Sequence, residues 1–112
     1  MDSARTIEKI QKLAEKKKTA KVLKYLSASE SEVVVAALQA LSEIRDEDSV
    51  NSIASMVDSP DKTVRIEAIK AMGSLGTEYA KTHLQHKMSG EQDAEVKQAI
   101  SDALHTIAAS RK

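Results

Sequence analysis

The sequence contains no cysteine, no phenylalanine and no tryptophan, and its aromatic content is Tyr25 and Tyr79 alone. The first absence excludes disulfides, thiol catalysis and cysteine-ligated metals. With two tyrosines, a platform for stacking nucleic-acid bases is hard to build. No apolar run approaches the roughly 18–20 residues of a membrane-spanning helix, and the stretch from Met1 to Lys18 lacks the apolar centre of a signal peptide. We therefore expect a soluble cytoplasmic protein with no membrane partner. A glycine-rich phosphate loop and the nucleophile and metal motifs of common enzymes are also missing, so neither catalysis nor a cofactor is expected.

Net charge is absent too, although the charges are unevenly spread. Residues 1–24 carry eight basic and three acidic side chains, residues 25–60 carry one and seven, and residues 61–112 carry eight and seven. Two readings follow for Lys9, Lys12, Lys16, Lys17, Lys18, Lys21 and Lys24. They form a patch for an acidic partner, or they solvate the end of the fold beside an acidic neighbour.

What is present is a pattern, clearest from Asp58 to Gly76. Ser59-Pro60 reads as a helix start, with Pro60 at the first helical position and Asp61 complementing the helix dipole. Gly76 reads as the left-handed stop. Between them Val64, Ala68, Ala71, Met72 and Leu75 recur at helical spacing. The same stripe occurs 31 residues earlier as Val33, Ala37, Ala40, Leu41 and Ile44, and 32 residues later as Val96, Ile100, Ala103, Leu104 and Ile107. The segments between repeat as well: Val22 and Leu26, Ile53 and Val57, and Leu84 and Met88 are spaced by 31 residues. Apolar stripes in register at a fixed period are the mark of stacked helix pairs.

The residues Asp58, Pro60, Val64-Arg65, Ala68, Ala71-Met72-Gly73 and Leu75-Gly76 resemble the short-repeat HEAT family, of the kind also found in phycobilisome-lyase-type proteins. The match follows D-x-x-x-x-x-V-R-x-x-A-x-x-A-L-G-x-L-G with Met72 in place of Leu. The first unit has Val33-Val34 and the last Val96-Lys97 at the Val-Arg position, and neither has the glycine pair. The resemblance implies an all-α fold, a right-handed α-solenoid of antiparallel helix pairs with about seven helices. The whole chain, 1–112, is then one domain: a capping helix in 1–18, unit one in 19–45, unit two in 46–75 and unit three in 76–109.

The helices follow. Residues 4–16 form the cap, started at Asp2 or Ser3, with Ile7, Ile10, Leu13 and Ala14 on one face. Thr19 opens the next helix through Leu26, a turn spans Ser27 to Ser31, and Glu32 to Ile44 is the second helix of unit one. Asp46 or Asp48 caps the helix carrying Val50 to Val57. Thr77 caps a helix through Met88. A turn from Ser89 to Asp93 containing Gly90 leads to the last helix, Val96 to Ala108, and 110–112 is a frayed end.

His83, His86 and His105 raise the question of a metal, since His83 and His86 lie one turn apart on one helix. A stable site needs further ligands and an outer shell, and His105 points away from that helix on the wheel, so solvated histidines are the preferred account. The resemblance offers iron-dependent hydroxylases, base-excision glycosylases and bilin lyases as catalytic relatives. No His is followed by Glu, as the first would require, and nothing beyond the repeat points to the others.

In HEAT arrays the second helices of successive units line the inner surface. A wheel centred on the stripe puts Ile66, Lys70 and Gly73 on the opposite face of unit two, with Val35, Gln39 and Ser42 in unit one and Gln98, Asp102 and His105 in unit three. Val35 and Ile66, flanked by Leu38 and Ile69, read as an exposed apolar strip rimmed by Gln39, Lys70, Gln98 and Asp102, the contact surface for a peptide or helix of another protein. The alternative is that these helices are rolled so that Val35, Leu38 and Ile69 join a wider core. The resemblance further implies a ladder between units in which Arg65 pairs with Asp58 or Asp61.

The leading reading is a non-catalytic protein-binding scaffold. Two others stand beside it. The arc Val96, Ala99, Ile100, Ala103, Leu104, Ile107 and Ala108 is wider than one neighbouring helix covers, which predicts a homodimer or the end of a longer array. The lysine-rich N-terminal end suggests a weak nucleic-acid binder.

Overall fold

The computed structural model describes residues 2–110, which form seven α-helices: α1 Ser3–Glu15, α2 Thr19–Leu23, α3 Ser31–Ile44, α4 Glu47–Met56, α5 Lys62–Leu75, α6 Glu78–Gly90 and α7 Ala94–Ser110. A 3₁₀ turn, Lys24–Ser27, extends α2. The expected helix through Leu26 is thus tightened after Leu23, a common way for a short helix to end. The frayed end assigned to Arg111 and Lys112 lies outside the described residues, while Ser110 still belongs to α7.

Local chemistry accounts for the boundaries. The carboxylate of Asp2 accepts from Ala4 N at the start of α1, Asp46 from Ser49 N at α4, and the hydroxyl of Thr77 from Ala80 N at α6. Asp61, rather than Ser59, caps α5, accepting from Thr63 N at 2.9 Å and Val64 N at 3.4 Å. Pro60 therefore stands outside the helix, not at its first position. Asp93 does the same for α7, with Glu95 N at 2.9 Å and Val96 N at 3.1 Å, so α7 starts at Ala94 instead of Val96. Helix α6 runs on through Gly90, past the stop expected at Met88.

Two helices end in the left-handed region at equivalent repeat positions. Gly76 (φ 64°) ends α5, where glycine adopts this conformation at no steric cost, and Arg45 (φ 63°) ends α3. Arg45 carries a Cβ and so strains the backbone there. Its guanidinium reaches the carboxyl end of α5, donating to Ser74 O at 3.3 Å and to Leu75 O. A cation on the orphan carbonyls of the next unit's helix offsets the strain.

Helices α1, α3, α5 and α7 pack side by side in that order, and α2, α4 and α6 lie against them as a second layer. The thinnest dimension of the molecule, 18 Å, corresponds to two helix layers. Helix α1 takes the place of a second helix, packing on α3 as α3 packs on α5. Between the layers sits one aliphatic core in which Ile10, Leu38, Leu41, Ile53, Ile69, Met72, Leu84, Ile100 and Ile107 are fully buried. Each such side chain contributes about 1.5–3 kcal/mol on leaving water. Ser49 is fully buried at the edge of this interior, with its hydroxyl beside the Asp46 carboxylate.

Candidate functional site

Helices α3 and α5 have neighbours on both sides within their layer and helices of the α2, α4 and α6 layer beneath them. Their buried arc is consequently wider than the stripe read from the repeat. Leu38 and Ile69 are fully buried, and Gly73, placed on the open face by the wheel, is buried as well. Val35 and Ile66 are half-buried, with Ile66 packed against the core. The wheel's continuous apolar strip is thereby corrected: Tyr79 is the single exposed large hydrophobic residue among those described.

What remains open on the second-helix layer is polar. Gln39, Lys70, Gln98 and Asp102 are exposed. Three of them are tied within their own helices: Lys70 pairs with Glu67 at 3.1 Å, and Gln98 Nε2 donates to Asp102 Oδ1 at 2.9 Å. Between the ridges run shallow grooves floored by small residues. One, between α5 and α7, has Gly73, Ala99 and Ala103 on its floor and Lys70, Asp102 and Thr106 on its walls. The other, between α1 and α3, has Ala14, Ala36 and Ala40 below Gln11, Gln39 and Glu43. The structure thus brings Lys70 and Asp102 to one groove and puts Gln39 on another.

The layer is held in register by a ladder of polar contacts at the helix starts. Ser31, the first residue of α3, donates to Asp61 Oδ2 at 2.6 Å. Lys62, the first residue of α5, reaches Asp93 Oδ2 at 3.1 Å and Glu95 at 2.9 Å. In both steps Oδ1 of the aspartate caps its own helix and Oδ2 takes the preceding unit. Asp46 divides its oxygens in the same way, Oδ1 to Ser49 N and Oδ2 to the Thr19 hydroxyl at 2.5 Å. The Ser31 hydroxyl is the main reason that the Asp61 carboxyl lies below its ordinary pKa. For Asp93 the Val96 N–H leads, followed by Lys62. Lys62 is raised in turn, by Glu95 and then Asp93.

The expected partners of Arg65 are corrected. Its Nη1 donates to the carbonyls of Ser59 at 3.0 Å and Pro60 at 3.2 Å, and it braces its own turn. Asp58 and Asp61 do join units, through other groups: Asp58 accepts from Lys87 at 3.2 Å and Asp61 from Ser31. Ser31, Lys62 and Asp93 escaped the sequence reading, although a signal existed. Ser31 and Lys62 occupy one position of the repeat, and Asp61 and Asp93 another.

His83 and His86 line a cavity with Asp58, Lys87, Gly90 and Glu91. Its charges are already paired, since Lys87 bridges Asp58 and, at 3.4 Å, Glu91. No group of three or more His, Asp or Glu able to hold a metal exists among the described residues.

The apolar arc of α7 is also resolved. Val96, Ala99, Ile100, Ala103 and Ile107 are buried within the chain, because α7 packs on both α5 and α6. Only Leu104, half-buried, and Ala108, exposed, are left of it. No helix among the described residues is long and apolar enough to cross a membrane.

Among curated proteins none matches this chain. The family described as HEAT repeats matches it over residues 19–105, the span from the first residue of α2 into α7. The period, the two layers of paired helices and this match agree, and the chain belongs to the HEAT-repeat family.

Proposed function

We propose that the protein is a non-catalytic scaffold that binds another protein along the open face of α3, α5 and α7, through Gln39, Lys70, Gln98 and Asp102, with Val35 and Ile66 lending partly buried apolar surface. HEAT repeats commonly serve protein–protein interaction. The observation that carries the reading is the pair of grooves floored by Ala14, Ala36 and Ala40 and by Gly73, Ala99 and Ala103. Small residues under polar ridges leave room for the side chains of an incoming helix or extended segment. The 31-residue spacing favours the short-repeat, phycobilisome-lyase-type branch, with unit boundaries at 19–45, 46–75 and 76–109 behind a cap in 1–18.

A photo-crosslinking amino acid placed at Gln39 or Gln98, compared with Asn51 or Gln85 on the other layer, tests this in a lysate of the source cells. A discrete adduct from the first pair and none from the second is expected. Adducts from the second pair alone would move the site to the outer helices, and adducts of the chain with itself would replace the scaffold by self-association.

A further inference from the structure

Four of the described lysines, Lys12, Lys62, Lys70 and Lys87, are neutralised by ion pairs. Lys62 sits between Asp93 and Glu95, and Lys87 between Asp58 and Glu91. Of the lysines without an ion pair, three are gathered around one groove. At the α1 end of the stack, Lys9 of α1, Lys21 of α2 and Lys24 of the 3₁₀ turn converge on a groove whose floor is Leu13 and Tyr25. None of the three lysines makes an ion pair among the described residues, and the nearby Glu8 is engaged by Lys12. Leu13 and Tyr25 are half-buried against the core, and the Tyr25 phenol makes no hydrogen bond within the described residues. Like charges gathered around an apolar floor repel one another, and an anionic ligand relieves that repulsion.

We propose that this groove binds an acidic peptide segment carrying an aliphatic side chain. The ammonium groups of Lys9, Lys21 and Lys24 meet its carboxylates. The aliphatic side chain lies on Leu13 and the Tyr25 ring, and the phenol oxygen is available to a backbone group. The apolar floor distinguishes this ligand from nucleic acid, whose phosphates need no such floor and whose bases would find a single ring to stack on. The groove lies apart from the grooves of the proposed scaffold face, so each reading can fail without the other.

Fluorescence anisotropy with the full chain tests it. Three labelled probes are used: a peptide alternating Glu with Leu, the same peptide with Ser for each Leu, and a single-stranded DNA of about 20 nucleotides, longer than the site of one small binding domain. At physiological salt the Glu/Leu peptide is expected to bind at least about tenfold more tightly than either other probe. The exposed-site variant Lys21→Glu/Lys24→Glu should weaken it about tenfold or more, and Lys97→Glu, on α7, should leave it unchanged. Circular dichroism confirms that each variant keeps its helices. Equal binding of the serine peptide or the DNA overturns the proposal in favour of unspecific charge attraction. It also falls if Lys97→Glu weakens the peptide as much, or if no probe binds at millimolar concentration. Crosslinking of the chain to itself that the Glu/Leu peptide displaces would show a second copy to be the occupant, and would overturn it as well.

Discussion

The Cβ that Gly73 lacks would stand 3.0 Å from the Cβ of Ala103 and 3.1 Å from its Cα. Helices α5 and α7 meet here so closely that a side chain on both would push them apart by a few tenths of an ångström. Gly73 in a helix interior lowers propensity by about 1 kcal/mol relative to alanine, yet the contact with backbone on the other side cannot yield as a flexible side chain would. We expect Gly73→Ala to be destabilising by about 1 kcal/mol net and Gly73→Leu by about 3 kcal/mol, as overpacking in a filled interior generally is. Ala103→Gly in the Gly73→Ala background should return part of the loss. Thermal unfolding measures all three, and a higher melting temperature for Gly73→Ala would refute the close contact.

Arg45 holds a left-handed backbone while its guanidinium binds the carbonyls of Ser74 and Leu75. Glycine at this position would relieve about 1 kcal/mol of strain and lose the bonds; alanine would keep the strain and lose them. Arg45→Gly should therefore unfold close to the parent protein, and Arg45→Ala about 1 kcal/mol below it. If the two variants lose the same stability, the strain is not there.

Ser49 is fully buried; its N–H donates to Asp46 Oδ1 at 2.9 Å, and its hydroxyl is the first reason that the Asp46 carboxyl lies below its ordinary pKa. Replacement by alanine keeps the N–H and takes the hydroxyl away from the carboxylate. Ser49→Ala should be destabilising by about 1 kcal/mol, the worth of a hydrogen bond to a charged group less the gain in helix propensity. Chemical denaturation with an unchanged slope would read it directly, and a gain in stability would mean that the hydroxyl does not serve the carboxylate.

The carboxyls of Asp61, Asp93 and Glu91 are all held below their ordinary pKa. The first owes this chiefly to Ser31, the second to the Val96 N–H and the third to the Asp93 N–H, with Lys87 adding to it. Folded values below the unfolded ones mean that their contribution is complete above about pH 4–4.5 and is lost as pH falls through the folded values. Lys62 is raised, so its contribution is complete below about pH 10.4 and is lost as pH climbs through the folded value. A melting-temperature profile should be flat between these limits with respect to the ladder and fall on the acid side. Asp61→Asn and Asp93→Asn should each shrink the acid limb; an acid limb identical in the parent and both variants would remove the ladder from the account.

How much of this was legible beforehand follows from what each feature depends on. The helix pairs, the 31-residue period, the left-handed stop at Gly76 and the caps at Asp46 and Thr77 are encoded within one turn of chain or in a recurring apolar stripe. The sequence alone therefore determined the all-helical repeat and its family. It could not determine the roll of each helix. Roll depends on how many neighbours a helix has, and α5, touching α3, α4, α6 and α7, buries Ile69 and Gly73 beyond the stripe that periodicity marks. The same holds for Ser31 with Asp61, Lys62 with Asp93 and the lysines around Leu13 and Tyr25. Their partners are distant in the chain or lie on different helices, and only stacking brought them within reach of one another.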